Sequence, residues 1–254
     1  MGFEDEVTSV FITKDNAPNN RIEEIMEDAK NPKWENMDIE NFKIQCSESI
    51  STFKEKVFPM SHLDNGILIR EGFAFCAMCD YFSVDLIIES GMARGMSTEM
   101  FAKYFDTEVI SIDNALVYGT QIFNNTKNRL SKYHNVTCIM GNSLKKIPMI
   151  LNSHKDAKVG IFLDGPKGKE AVKFAKKCFK YPSVKFVGIH DECFPKRYHE
   201  MDLWNKTFFY TDADWFMDKY YNLDLLGEEK DQLKVKSDIL DFNPNGHGIG
   251  FAIN

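Results

Sequence analysis

From Val84 onward the chain alternates short apolar runs with amphipathic stretches, a rhythm that fits a mostly parallel sheet wrapped by helices. Five runs read as its strands: 85–89, 108–113, 136–140, 159–163 and 185–190. Helical spacing of apolar positions falls between them, over 98–105, 118–133, 144–151 and 169–179. Two later runs, 206–210 and 249–253, read as further strands, the last as an antiparallel edge. Upstream, helical spacing over 39–58 and 63–82 predicts two helices, with Pro59 as the breaker between them. Residues 1 to 40 hold turn material and many acids and read as a loosely attached arm; the pattern is weakest over 227–246. The expected fold class is therefore α/β, a seven-stranded sheet with helices on both faces and an N-terminal helical extension.

Composition narrows the functional classes. A 43% hydrophobic content with 21 Phe is enough for a real core and does not fit wholesale disorder. A formal charge of −7 argues against a general nucleic-acid surface, which needs concentrated Lys and Arg to release counterions. Six cysteines are too sparse for a disulfide scaffold, and residues 1–20 do not read as a secretory segment, so a reducing cytoplasm is the expected location. Cys76-Ala77-Met78-Cys79 has the spacing of half a zinc site, but it sits in an apolar run without a second pair, which predicts buried helical thiols. No run approaches the ~18 apolar residues of a membrane span, and Glu6 stands where a myristoylation signal needs Ser or Thr.

The strand ends carry the chemistry. After the first strand, Gly91 and Gly95 flank a turn into a helix, which lets backbone approach a ligand closely. The second strand ends in Asp113, placed to accept hydrogen bonds from both hydroxyls of a ribose; the third ends in Gly141-Asn142-Ser143, small polar groups suited to an adenine edge. The turn lacks G-x-G-x-x-G spacing, which disfavours a dinucleotide. The fourth and fifth strands end in Asp164 and in Asp191-Glu192, hard oxygen donors suited to Mg²⁺, which would lower the pKa of a bound hydroxyl. Lys167, three residues past Asp164 in a turn fixed by Pro166, is the candidate base; His190 competes but ranks below it, because strand alternation points it away from Asp191.

Taken together, these residues resemble the class I S-adenosylmethionine-dependent methyltransferases, and most of all the metal-dependent catechol O-methyltransferase type. Glu89-Ser90-Gly91-Met92-Ala93-Arg94-Gly95-Met96-Ser97 resembles that family's Glu-Leu-Gly-x-x-x-Gly-x-Ser cofactor turn, which implies cofactor contacts for Glu89, Gly91, Gly95 and Ser97. Asp113 stands at the ribose-binding acid and Gly141-Asn142-Ser143 at the adenine-side loop. Leu163-Asp164-Gly165-Pro166-Lys167 resembles Leu-Asp-His-x-Lys, which implies a metal ligand at Asp164 and a general base at Lys167; Asp191-Glu192 stands at the family's Asp-Asn metal pair. Gly165 in place of His and Glu192 in place of Asn depart from the catechol type, and the added acid is similar to the metal sites of sugar O-methyltransferases and cephalosporin-hydroxylase-like proteins.

The resemblance implies a Rossmann-like methyltransferase domain over 61–254 behind an arm and helical extension over 1–60. It also implies S-adenosylmethionine and Mg²⁺ or another divalent cation as cofactors, and methyl transfer to a hydroxyl of a small diol, catechol-like or saccharide acceptor. A small molecule or glycan is the expected partner, with neither nucleic acid nor membrane, and a homo-oligomer is compatible. A non-catalytic binding module on the same pocket, and a metal-dependent hydroxylase or hydrolase using the same acids, are the alternatives.

Overall fold

The computed structural model describes residues 39–60, 66–190, 201, 204, 206–226 and 248–254. Seven strands form one sheet: β1 (Leu86–Ser90), β2 (Glu108–Asp113), β3 (Val136–Met140), β4 (Val159–Leu163), β5 (Val184–His190), β6 (Thr207–Tyr210) and β7 (Ile249–Ile253). Their spatial order is β3-β2-β1-β4-β5-β7-β6, with the first five parallel and β7 antiparallel to both of its neighbours. Strands β1 and β4 are thus adjacent, although β2 and β3 lie between them in sequence and the chain leaves β1 toward one side and β4 toward the other. That reversal leaves a crevice beyond the carboxyl ends of β1 and β4, the place where open α/β sheets bind ligands.

Helices α1 (Ile39–Val57), α2 (Ile69–Phe82), α3 (Met96–Tyr104), α4 (Gly119–Leu130), α5 (Ser143–Ser153), α6 (Lys169–Cys178) and α7 (Asp214–Tyr220) surround the sheet. All five residues of β1 are buried, because successive side chains feed opposite cores. Ile87 joins Phe75, Phe101, Phe162 and Phe186 under α1, α2 and α3, whereas Leu86 and Ile88 join Ile147, Leu151 and Ala175 under α5 and α6. The first core is aromatic: Phe75 meets Phe101 with ring centroids 4.6 Å apart and Phe162 edge-on at 5.3 Å. Gly160 makes room for it, since a Cβ there would lie 2.8 Å from the Phe186 ring.

Two expectations need correction. The last strand is antiparallel, but it is not an edge: β7 is inserted between β5 and β6, and Ile249, Gly250, Phe251 and Ala252 are all buried with no charged residue of the kind that protects an edge. The second helix begins at Ile69, with Gly66, Ile67 and Leu68 non-helical ahead of it; residues 61–65 lie outside the described set. Its start is set by Glu71, whose carboxylate accepts from the Leu68 backbone N–H at 2.8 Å as a capping box does. Cys76 and Cys79 are buried free thiols in α2, as expected, and burial pushes both well up from the ordinary thiol range. Among the described residues no helix is long and apolar enough to cross a membrane.

Candidate functional site

The crevice holds a cleft of about 520 Å³, within the ~300–1,000 Å³ of small-molecule sites. Its walls come from five strand ends, His190 closing β5 among them. Gly91 follows β1 with φ +95°, and a Cβ there would stand 3.1 Å from the Asp164 carbonyl carbon, so both the dihedral and the close approach of the β4 loop require glycine. Asp113 ends β2 in the cleft wall. Its Oδ2 accepts from the Ala93 backbone N–H at 2.9 Å and its Oδ1 from that of Ala115 at 2.7 Å. The carboxylate is therefore fixed in orientation, while each oxygen keeps a second acceptor site for a ligand.

Asn142 and Ser143 also line the cleft. Asn142 caps α5 by accepting from the Leu144 N–H at 2.9 Å. The Ser143 and Ser90 hydroxyls are 2.7 Å apart, and Ser90 donates onward to the Gly165 carbonyl. This chain of hydroxyls ties the third strand end to the fourth.

Other expected cofactor residues lie behind the wall rather than in it. Glu89 is fully buried, and its carboxylate accepts from the hydroxyls of Ser97, Thr98 and Ser111, pinning the first turn of α3 to β1 and β2. Burial pushes its carboxyl up to about 7 despite those three donors, and the nearby Asp164 charge adds to the rise. Gly95 is buried too: a Cβ there would come within 2.6 Å of Thr126 Cγ2, so this glycine lets α4 pack on the turn. Gly141 faces the Lys146 side chain, whose Cε would lie 3.3 Å from an added Cβ.

At the chemical end, the Asp164 backbone N–H donates to the Ser90 carbonyl at 2.8 Å, which holds the start of the β4 loop against β1. Asp164 Oδ1 accepts from Lys167 Nζ and from His190 Nδ1, the latter at 2.6 Å. His190 Nε2 lies 3.3 Å from Glu71 Oε2, so Glu71, His190, Asp164 and Lys167 form a row of alternating charge. Burial disfavours the imidazolium, but the two carboxylates outweigh it and raise His190 to about 10. Burial would likewise raise both carboxyls; His190, with Lys167 at Asp164 and Arg70 at Glu71, holds each below the usual range. His190 is thus a buried, charged strut between the two carboxylates. Glu71 was missed by sequence reasoning; the available signal was an acid in the first turn of a helix whose following residues, 72–79, are apolar.

Asp191 and Glu192 lie outside the described residues. Among the described residues no group of three or more His, Cys, Asp or Glu side chains gathers as a metal site. The part of the expected donor set that is described fits a hard cation in kind: Asp164 faces the cleft, and both of its side-chain hydrogen bonds use Oδ1. The four charges in the row sum to zero, so the two acids that follow His190 in the chain would bring two negative charges for one divalent ion to balance.

No family model matches the sequence, and no curated protein matches it. Among solved structures, the chain is similar to the O-methyltransferase TomG from Streptomyces achromogenes, at 13% identity over 87% of this chain and 96% of that one, with a TM-score of 0.44. It is also similar to an O-methyltransferase from Bacillus cereus, at 9% identity over 83% and 91% with a TM-score of 0.43. A methyltransferase from Geobacter sulfurreducens aligns at 12% identity over 93% and 98% with a TM-score of 0.46.

Proposed function

We propose that the cleft binds S-adenosylmethionine and that the protein transfers its methyl group to a hydroxyl of a small catechol-like, diol or saccharide acceptor, with a divalent cation at Asp164. The observation that carries this reading is the convergence, on one cleft at the β1–β4 crevice, of the Gly91 turn, Asp113, Asn142-Ser143 and the Asp164–Lys167 loop. Asp113 accepts the two ribose hydroxyls through the acceptor sites its backbone bonds leave open. Asn142 and Ser143 meet the adenine edge, with Val117 and Tyr118 on the same cleft as apolar walls.

When bound, the cofactor supplies a methyl group on a sulfonium that leaves as a neutral thioether, and the cation supplies positive charge beside the acceptor oxygen. Asp164 would hold that cation together with Asp191 and Glu192. Lys167 takes the acceptor's proton at Nζ. Its Nζ is held by Asp164, a carboxylate that the bound cation would engage instead. His190 and Glu71 keep the Asp164 carboxylate oriented from behind.

The test is transfer of a labelled methyl group to catechols, sugars and small glycans, with and without chelator, alongside Asp164→Ala and Lys167→Ala. Loss of transfer in each of the three is expected. Full turnover in all three would remove the proposed chemistry, and failure of the protein to bind S-adenosylhomocysteine by calorimetry would remove the cofactor with it. Binding of S-adenosylhomocysteine with no metal dependence and no transfer would favour the binding-module alternative.

A further inference from the structure

A second recess of about 540 Å³ runs between α5 and α6, on the outer side of the sheet from the α1–α2 layer. It adjoins the cofactor cleft at Leu144, which lines both. Its rim carries Lys173 and Lys177, one helical turn apart on α6, and Lys180 just beyond. Like charges four apart on a helix repel by a few tenths of a kcal/mol, which Glu170, three residues before Lys173 on the same helix, offsets only in part. None of these three ammonium groups has a hydrogen bond or ion pair among the described residues, although the chain carries a formal excess of seven acids. Lys176 on the same helix is engaged: it lies over the Trp204 ring at 5.5 Å. Glu170 is the one acid lining the recess, and it is exposed.

The rest of the recess is of a different kind. Phe174 and Pro148 give it an apolar floor, and Tyr181 places an aromatic ring and a hydroxyl at its side. Pro148 stands inside α5, where it has no N–H to give the Leu144 carbonyl one turn earlier, so an acceptor is left near the lip. A solvated helix face needs lysines but neither an apolar floor beneath them nor a concave volume the size of a small ligand.

We infer that this recess is a second ligand site, one that takes a phosphate ester of an aromatic or apolar body. The phosphate sits among Lys173, Lys177 and Lys180, and the body lies on Phe174 and Pro148. The site is separate from the cofactor cleft and does not depend on the reading of that cleft.

The probe is 1-naphthyl phosphate, titrated into the full chain by calorimetry beside inorganic phosphate and 1-naphthol. The ester is expected to bind at least about tenfold more tightly than either part, to weaken as salt rises, and to leave S-adenosylhomocysteine titration unchanged. The double variant K173Q/K177Q, and separately K173E/K177E, should lower its affinity about tenfold or more while melting like the parent protein, since both positions are exposed. Equal affinity for the ester and 1-naphthol, equal affinity in parent and variants, or displacement of the ester by S-adenosylhomocysteine would each overturn the assignment.

Discussion

Glu89 makes the stability of this protein depend on pH in a direction opposite to that of most carboxylates. Its carboxyl is fully buried and lies at about 7 in the fold against an ordinary 4.5. The folded state therefore holds a proton between pH 4.5 and about 7 that the unfolded chain has released. Stability from this group is fullest below the unfolded value, declines as pH rises through the window, and levels off above the folded value. The difference of 7 − 4.5 = 2.5 in pKa, at about 1.4 kcal/mol for each, amounts to roughly 3.5 kcal/mol in full, of which about 3 kcal/mol falls between pH 4.5 and 8. Glu89→Gln keeps the side-chain shape and removes the titration. Three rotatable hydroxyls, on Ser97, Thr98 and Ser111, surround the site and can turn to accept from the new amide. The assay is urea unfolding of both proteins at pH 4.5, 6 and 8. The variant should gain about 3 kcal/mol relative to the parent between the first and last pH, whatever its constant offset at pH 4.5. A parent-to-variant difference that stays flat across the three pH values would refute the reasoning, because the burial would then not raise the carboxyl.

Gly91→Ala should cost about 1–3 kcal/mol in thermal or urea unfolding and weaken S-adenosylhomocysteine binding, because the new Cβ meets positive φ and the Asp164 backbone at once. Asp113→Ala should weaken that binding by about tenfold or more in calorimetry, since each lost charge-assisted hydrogen bond is worth ~1.5–3 kcal/mol; unchanged affinity would take Asp113 out of the ribose site. Asp224 accepts from the Arg70 backbone N–H at 2.9 Å and pairs with its guanidinium, both groups being buried, so Asp224→Ala should destabilise by about 3–5 kcal/mol in urea. A loss under about 1 kcal/mol would mean that the 221–225 turn is not anchored through this pair.

Much of the sheet was legible because its strands are bounded chemically. The limits read for β2, β3, β4 and β7 coincide with those observed: β2 ends on Asp113, β3 just before Gly141 and β4 just before Asp164, residues that close an apolar run. The place of β7 was not legible, since pairing order is decided by which neighbours can cover two apolar faces, and that is a property of the assembled sheet. The residues expected around a cofactor divide for the same reason. Asp113 was readable as a strand-end acid, whereas the inward turn of Glu89 depends on Ser97 and Thr98 from α3 and Ser111 from β2 meeting beneath it. The contact between His190 and Glu71 spans 119 positions of sequence, and no local pattern encodes it.

The insertion of β7 between β5 and β6 also sets an order of events. Among the described residues β6 pairs with β7 alone, so Thr207–Tyr210 has no ladder to join until Ile249–Ile253 has been made. During synthesis the five parallel strands can dock as they emerge, but the far flank of the sheet, with Phe209 stacked on Phe251 at 4.9 Å, closes only once Ile249–Ile253 has been made. A nascent chain stalled before Ile249 would leave β5 without β7 beside it and Phe209 without the Phe251 ring, a species prone to capture by other chains before the sheet is complete.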